Sequence, residues 1–131
     1  MTHSIDIRIY YEDTDAGGIV YYANYLKFCE RGRTELLRCA GFENKPLMER
    51  DGFMFVVRHV EADYILPACL DDIVRIETSV TTVKNASFAM KQTVFRHNQV
   101  LFEMDVMLAC VGTNGKPVRL PDHVKEALRN D

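Results

Sequence analysis

The segment YYANYLKFCERGRTELLRCAG, residues 21–41, repeats its apolar residues with the period of an α-helix. Tyr22, Tyr25, Leu26, Cys29, Gly32, Leu36, Leu37 and Ala40 form one stripe. Lys27, Glu30, Arg31, Thr34, Glu35 and Arg38 form the opposite face. Glu30 with Thr34, and Arg31 with Glu35, are four apart and are expected to pair. Gly41 is placed to end the helix as its C′ residue. Gly32 costs about 1 kcal/mol against alanine inside a helix. It reads as a point where a neighbouring strand passes close. The expected helix, residues 22 to 40, is about 28 Å long.

On either side the period shortens to two. IDIRIYY, residues 5–11, alternates as a short strand, and Gly17-Gly18 break the pattern. Residues 44–52 read as a connector with one helical turn. Strands are expected over residues 53–66, 73–83, 87–96 and 100–112, in meander order, with turns at Lys84-Asn85, at His97-Asn98-Gln99 and at Asn114-Gly115. PDHVKEALRND, residues 121–131, reads as a short helix opening with Pro121. Five strands side by side span roughly 24 Å, so one long helix can lie across one antiparallel sheet. That is a two-layer α+β domain occupying residues 1–131. The helix cannot cover all of the sheet, and apolar surface left at Phe53, Phe55 and Val57 predicts a homo-oligomer.

Composition narrows the function. The chain has 131 residues, 47% hydrophobic and 27% charged, which suits one self-supporting domain. A net charge of -3 and a pI of about 5.8 argue against a broad nucleic-acid surface. No run approaches the roughly 18 apolar residues of a membrane span. The opening residues carry charges where a secretion signal needs an apolar run, so a cytoplasmic location is expected. Cys29, Cys39, Cys69 and Cys110 are dispersed without a CxxC, and read as small buried thiols in a reducing compartment rather than as metal ligands.

EDTDAGGIVYYANY, residues 12–25, lies between the first strand and the long helix. The first N–H groups of a helix lack internal partners and carry partial positive charge. Gly17 and Gly18 let a ligand come close to the backbone. Such a helix start can stabilise an oxyanion, and a neighbouring carboxylate can act as nucleophile or base. Position alone equally fits turn and capping chemistry. Asp13-Thr14-Asp15 also brushes against two other motifs. A haloacid-dehalogenase-type phosphatase needs a larger parallel α/β domain, and an aspartic protease needs a second catalytic copy. His3, His59, His97 and His123 sit in no motif, and no serine lies in a nucleophile elbow.

YEDTDAGGIVYYANY followed by FCERGRTELL resembles the 4-hydroxybenzoyl-CoA thioesterase family of hotdog-fold proteins. It is most similar to the YbgC type, an acyl-CoA thioesterase encoded beside the Tol-Pal envelope system in many bacteria. FVVRHVEADYILPACLDDIVRIET, residues 55–78, follows the same pattern, with a proline and then Asp-Asp before the next strand. The resemblance implies a hotdog fold, a five-stranded antiparallel sheet wrapped around one long helix. It implies hydrolysis of a short-chain or aromatic acyl-CoA without metal or cofactor, in homodimers or homotetramers with sites at subunit interfaces. Coenzyme A thioesters are the expected substrates, and acyl carrier protein is a second candidate carrier.

On this resemblance Asp15 is the catalytic carboxylate, and the Tyr22 N–H polarises the carbonyl. Carboxylates are weak bases at neutral pH, which tilts the role of Asp15 toward direct attack. YbgC-type proteins commonly carry histidine at the position of Tyr22, whereas the 4-hydroxybenzoyl-CoA enzyme has tyrosine. Gly18, Asn24 and Tyr25 fall in the motif as substrate-binding candidates. Asn24 reads equally as a local hydrogen bonder, and Asp13 as the organiser of the turn. Lys84, Asn85 and Ser87 lie on the hairpin where relatives hold coenzyme A phosphates, and Arg58 is a further candidate. Two rivals remain: a non-catalytic hotdog scaffold of the envelope machinery that binds acyl-CoA or acyl carrier protein, and a hotdog hydratase or dehydratase. The second would want a histidine-centred acid/base pair.

Overall fold

The computed structural model describes residues 1–129. Its strands are β1 (Thr2–Arg8), β2 (Phe53–Tyr64), β3 (Ile73–Val83), β4 (Ser87–Arg96) and β5 (Gln99–Gly112). Its α-helices are α1 (Asn24–Cys39), α2 (Asn44–Glu49) and α3 (Asp122–Arg129), with a single 3-10 turn at Tyr11–Asp13. All strand pairs are antiparallel, in the order β1-β3-β4-β5-β2. The sheet curls around α1, as a hotdog fold requires. The last two residues of the expected C-terminal helix lie outside the described residues.

Strand order departs from the expected meander. Only β3, β4 and β5 run as one; β2 pairs with the far side of β5 and makes no pair with β3. The β2–β3 connection is eight residues long, too long for a tight hairpin, and contains Pro67, which has no N–H to give a ladder. It runs instead across the sheet end, where Ile65 and Leu66 N–H both donate to Leu101 O, at 2.9 and 3.0 Å. The first strand also stops early. The Asp13 carboxylate accepts the Tyr10 N–H at 2.8 Å and turns the chain away from the sheet.

The helix stripe shifts by a fraction of a turn. Phe28 is fully buried, while Leu26 and Tyr22 face outward. Neither expected i,i+4 pair forms among the described residues. Glu35 accepts from Arg38 instead, one turn nearer the helix end. Gly41, just past the C-cap at Ala40, takes the left-handed conformation with φ of 98°.

Gly32 is where helix and sheet come closest. A Cβ there would stand 2.9 Å from Ile76 Cγ2, 2.9 Å from Thr78 Oγ1 and 3.2 Å from Gln92 Nε2. The Gln92 side chain is fully buried between the two layers. Its Nε2 donates to Cys29 O at 2.7 Å and to Thr78 Oγ1 at 2.9 Å, and its Oε1 accepts from Arg33 at 2.9 Å. Every polar atom of this amide is thus satisfied, as burial demands.

The thiols are less uniformly buried than expected. Burial pushes Cys29 up to about 12 and Cys110 up to about 11, so both stay neutral. Cys39 is exposed and Cys69 half-buried. Of the expected apolar remainder Val57 is exposed, but Phe53 and Phe55 are not. Phe53 is buried and Phe55 half-buried, while Val57, Val60, Tyr64, Ile65 and Leu66 are the exposed residues. The first three lie on β2, whose side away from β5 is unpaired among the described residues, and the last two follow it.

Gly32→Ala gains about 1 kcal/mol of helix propensity but forces a methyl group against the buried side chains of Ile76, Thr78 and Gln92. A net loss of about 1–3 kcal/mol is expected, read by denaturant titration. An unchanged midpoint would show that the layers can part.

Candidate active site

Residues 9–23 are knotted rather than loose. The Thr14–Val20 bridge closes a small hairpin, with Asp15 N–H donating to Ile19 O and Gly18 N–H to Asp15 O, both at 3.0 Å. Gly18 sits at φ of 78°, where a side chain would be strained. The Asp15 Oδ1 accepts from Gly17 N–H at 2.9 Å. Its other oxygen has no partner among the described residues, and the side chain is exposed. The hairpin is stitched down by Val20 N–H to Ala68 O at 2.9 Å.

From there the chain turns into α1. Tyr21 N–H donates to Asp13 O at 3.0 Å, and the Asn24 side chain donates to the same oxygen at 2.8 Å. Asn24 is therefore engaged as a structural bridge. Asn24 N–H donates to Tyr21 O at 2.9 Å. Tyr22 precedes the helix, 62% exposed, and nothing among the described residues accepts from its N–H. The Tyr21 phenol is pushed up, first by Tyr22, whose ring lies 4.9 Å away, and more weakly by the Asp15 carboxylate.

Next to this helix start lies a cavity of about 320 Å³, lined by Ile19, Val20, Tyr22, Tyr25, Tyr64 and the Ile65–Pro67 segment. Tyr25 is its buried floor. Its ring stacks on Phe102 at 4.9 Å, and its hydroxyl accepts from Ala68 N–H at 3.0 Å. Burial pushes the Tyr25 phenol up. A larger groove of about 480 Å³, between α1, α2 and β2, contains no residue of the Asp15 hairpin.

The remaining sequence candidates stand elsewhere in the chain. Arg58 occupies the β2 bulge, six residues and about 20 Å from Tyr64. Lys84, Asn85 and Ser87 form the β3–β4 hairpin, with Lys84 N–H donating to Ser87 O at 2.8 Å. That hairpin is at the opposite end of β3 from Ile73, about 33 Å away. The Asn85 side chain accepts from the largely buried Lys125 at 3.1 Å. One chain thus brings together Asp15, Gly18, Tyr22, Asn24 and Tyr25, and leaves the four others distant.

The cavity wall from β2 was not visible in the sequence as a site. Tyr64, Ile65 and Leu66 read only as the tail of a long strand. The break of alternation at Tyr64-Ile65-Leu66-Pro67, just before Asp71-Asp72, was the available signal. The Asp-Asp pair now has a clear structural part. Asp71 takes a left-handed turn with φ of 71°. The Asp72 carboxylate accepts Cys69 N–H and Arg96 Nη1, both at 2.8 Å, and so clamps the cavity wall to β4.

A model of the thioesterase-like superfamily matches residues 10–128. The chain belongs to the thioesterase-like superfamily. Among its superfamily relatives, acyl-CoA thioesterase YbgC of Haemophilus influenzae is 44% identical over 128 residues, 97% of this chain and 94% of the relative. Acyl-CoA thioester hydrolase YbgC of Escherichia coli O157:H7 is 42% identical over 120 residues, 90% and 89% of the two chains. The structure of a probable thioesterase from Bartonella henselae superposes with a TM-score of 0.89 at 40% identity, covering 92% of this chain and all of that one (100%). The family expected from the opening motif is therefore the family found.

Partial burial opposes ionisation of Asp72, but the hydrogen bonds from Arg96 and Cys69 N–H and the Arg96 charge outweigh it and lower its pKa. A lowered carboxylate contributes stability above its unfolded value, about 4, and loses it as pH falls through the folded value. Asp72→Asn should therefore melt below the wild type at pH 7, with the gap closing below about pH 4. Melting curves across pH test this; a gap that is constant with pH would remove the Asp72–Arg96 charge from the account.

Proposed function

We propose that this chain is an acyl-CoA thioesterase that cleaves its substrate at Asp15. The observation that carries the reading is the juxtaposition of three things. A carboxylate with one oxygen open and a helix start with an unengaged N–H at Tyr22 lie seven residues apart, and an apolar cavity walled by Ile19, Val20 and Tyr22 on one side and by Tyr64 to Pro67 on the other opens beside that helix start. The relatives named above support the substrate class. In this reading the acyl group enters the cavity and the thioester oxygen meets the Tyr22 N–H. Charge growing on that oxygen is then met by a donor already in place. Asp15 acts on the carbonyl carbon, and direct addition suits an exposed carboxylate better than proton abstraction does. The C–S bond breaks, coenzyme A leaves as thiolate, and water releases the acid and restores Asp15. An aromatic-walled cavity of about 320 Å³ favours short-chain or aromatic acyl groups over long ones.

We further propose that two chains pair along β2 into a continuous sheet. The strand is an unpaired edge of 12 residues with Val57 and Val60 exposed, the kind of edge that proteins rarely leave open. Arg58 stands far from Tyr64 along β2, and Lys84, Asn85 and Ser87 stand at the far end of β3 from Ile73; in this reading a second copy supplies their contacts to coenzyme A. A homotetramer, acyl carrier protein as an alternative carrier, and a link to the Tol-Pal system extend the same reading. A cytoplasmic location agrees with the four free cysteines. No helix among the described residues is long and apolar enough to cross a membrane.

Thiol release from acetyl-, butyryl-, benzoyl- and palmitoyl-CoA tests the function. The wild type should cleave the short and aromatic thioesters, and Asp15→Asn should be at least about a hundredfold slower, some 2.7 kcal/mol of barrier. A wild type that cleaves none of them, or an asparagine variant that cleaves as well, removes the Asp15 mechanism and favours a binding role.

A further inference from the structure

The Tyr22 N–H can serve as an oxyanion donor only if the peptides around it are fixed. On its N-terminal side the backbone does this. Tyr21 N–H is held by Asp13 O, and Tyr21 O by Asn24 N–H. On its C-terminal side the helix does not. Leu26 N–H, four residues on, would ordinarily reach the Tyr22 carbonyl, but it donates to Ala23 O at 3.2 Å. The Tyr22 carbonyl is held instead from another element. The Tyr64 hydroxyl, at the end of β2, donates to it at 2.9 Å. It is the one partner that carbonyl has among the described residues.

We infer that Tyr64 is a positioning residue for the proposed thioester chemistry: its hydroxyl fixes the Tyr22–Ala23 peptide, and through it the aim of the Tyr22 N–H. The inference rests on the functional reading above. Tyr64 is well placed to hold a fixed point. Its ring meets Phe102 at 4.9 Å, Tyr25 at 5.5 Å and Tyr22 at 6.3 Å, all edge-on. Its backbone pairs with Phe102 in the β2–β5 ladder. Desolvation first, then the neighbouring phenols, push its own phenol up, so the donor proton stays in place through the neutral range. The same ring forms one wall of the cavity, so the residue has two separable parts: a hydroxyl that aims the donor and a ring that bounds the acyl group.

Tyr64→Phe removes the hydroxyl and keeps the ring. With the wild type's best thioester from the panel, kcat should fall roughly threefold to tenfold, the worth of one hydrogen bond. KM should stay within about twofold, and the melting temperature should fall by no more than about 5 °C, so that the variant remains folded under assay conditions. Tyr64→Leu should show the same loss of kcat together with a raised KM, because the wall goes too. A Tyr64→Phe variant with unchanged kcat overturns the inference, as does one whose lost activity merely follows a lowered melting temperature. Both results leave the proposed function standing. A wild type that cleaves no thioester overturns both.

Discussion

The buried amide of Gln92 is what α1 rests on. Three hydrogen bonds converge on it, from or to Cys29 O, Thr78 Oγ1 and Arg33, in the space left by the missing Cβ of Gly32. An amide buried without partners costs about 1–3 kcal/mol, so a helix shifted or rotated on the sheet would be penalised at once. Apolar packing alone tolerates small slides. This polar knot does not, because each bond has a narrow range of distance and angle. It fixes the depth and the register of the helix together.

A helix fixed at its middle has a fixed beginning. Eight residues before Gly32, α1 starts at Asn24, and its side chain reaches back to Asp13 O. Tyr25, in the first turn, is tied by its hydroxyl to Ala68 N–H, which belongs to the β2–β3 connection. That connection is clamped to β4 by Asp72 and Arg96, 2.8 Å apart. The Asp15 hairpin hangs from the same connection through Val20 and Ala68. Carboxylate, helix start and cavity wall are therefore carried by three separate pieces of chain joined by short hydrogen bonds. Such rigidity is what an oxyanion donor needs, since a donor that must reorganise as charge develops contributes little.

Much of this was legible in the sequence. The helix, the five strands and the special place of Gly32 followed from period and from one residue that had no other reason to be there. Asp15 and Tyr22 stand out in the sequence as candidates because the motif around them is long and local. What escaped was whatever depends on topology. The partner of β2 is set by the path of residues 65–72, and alternation says nothing about neighbours. Phe28 displaced Leu26 on the buried face because the curled sheet, rather than the helix wheel, decides which side is covered. Arg31 and Glu35 stood at the right spacing, yet Glu35 turned to Arg38, since exposed pairs are weak and easily exchanged. In the sequence Tyr64 reads as the end of a strand, and only its position across from Phe102 brings it to the helix start.

In the proposed mechanism Asp15 makes and breaks bonds rather than holding the substrate. The direct measurement is the affinity of Asp15→Asn for a non-hydrolysable thioether analogue of the preferred acyl-CoA, by isothermal titration, beside that of the wild type. Dissociation constants within about threefold of each other are expected, under about 1 kcal/mol, because the cavity and the Tyr22 N–H are untouched. An asparagine variant that no longer binds the analogue would make Asp15 a binding residue and contradict the account.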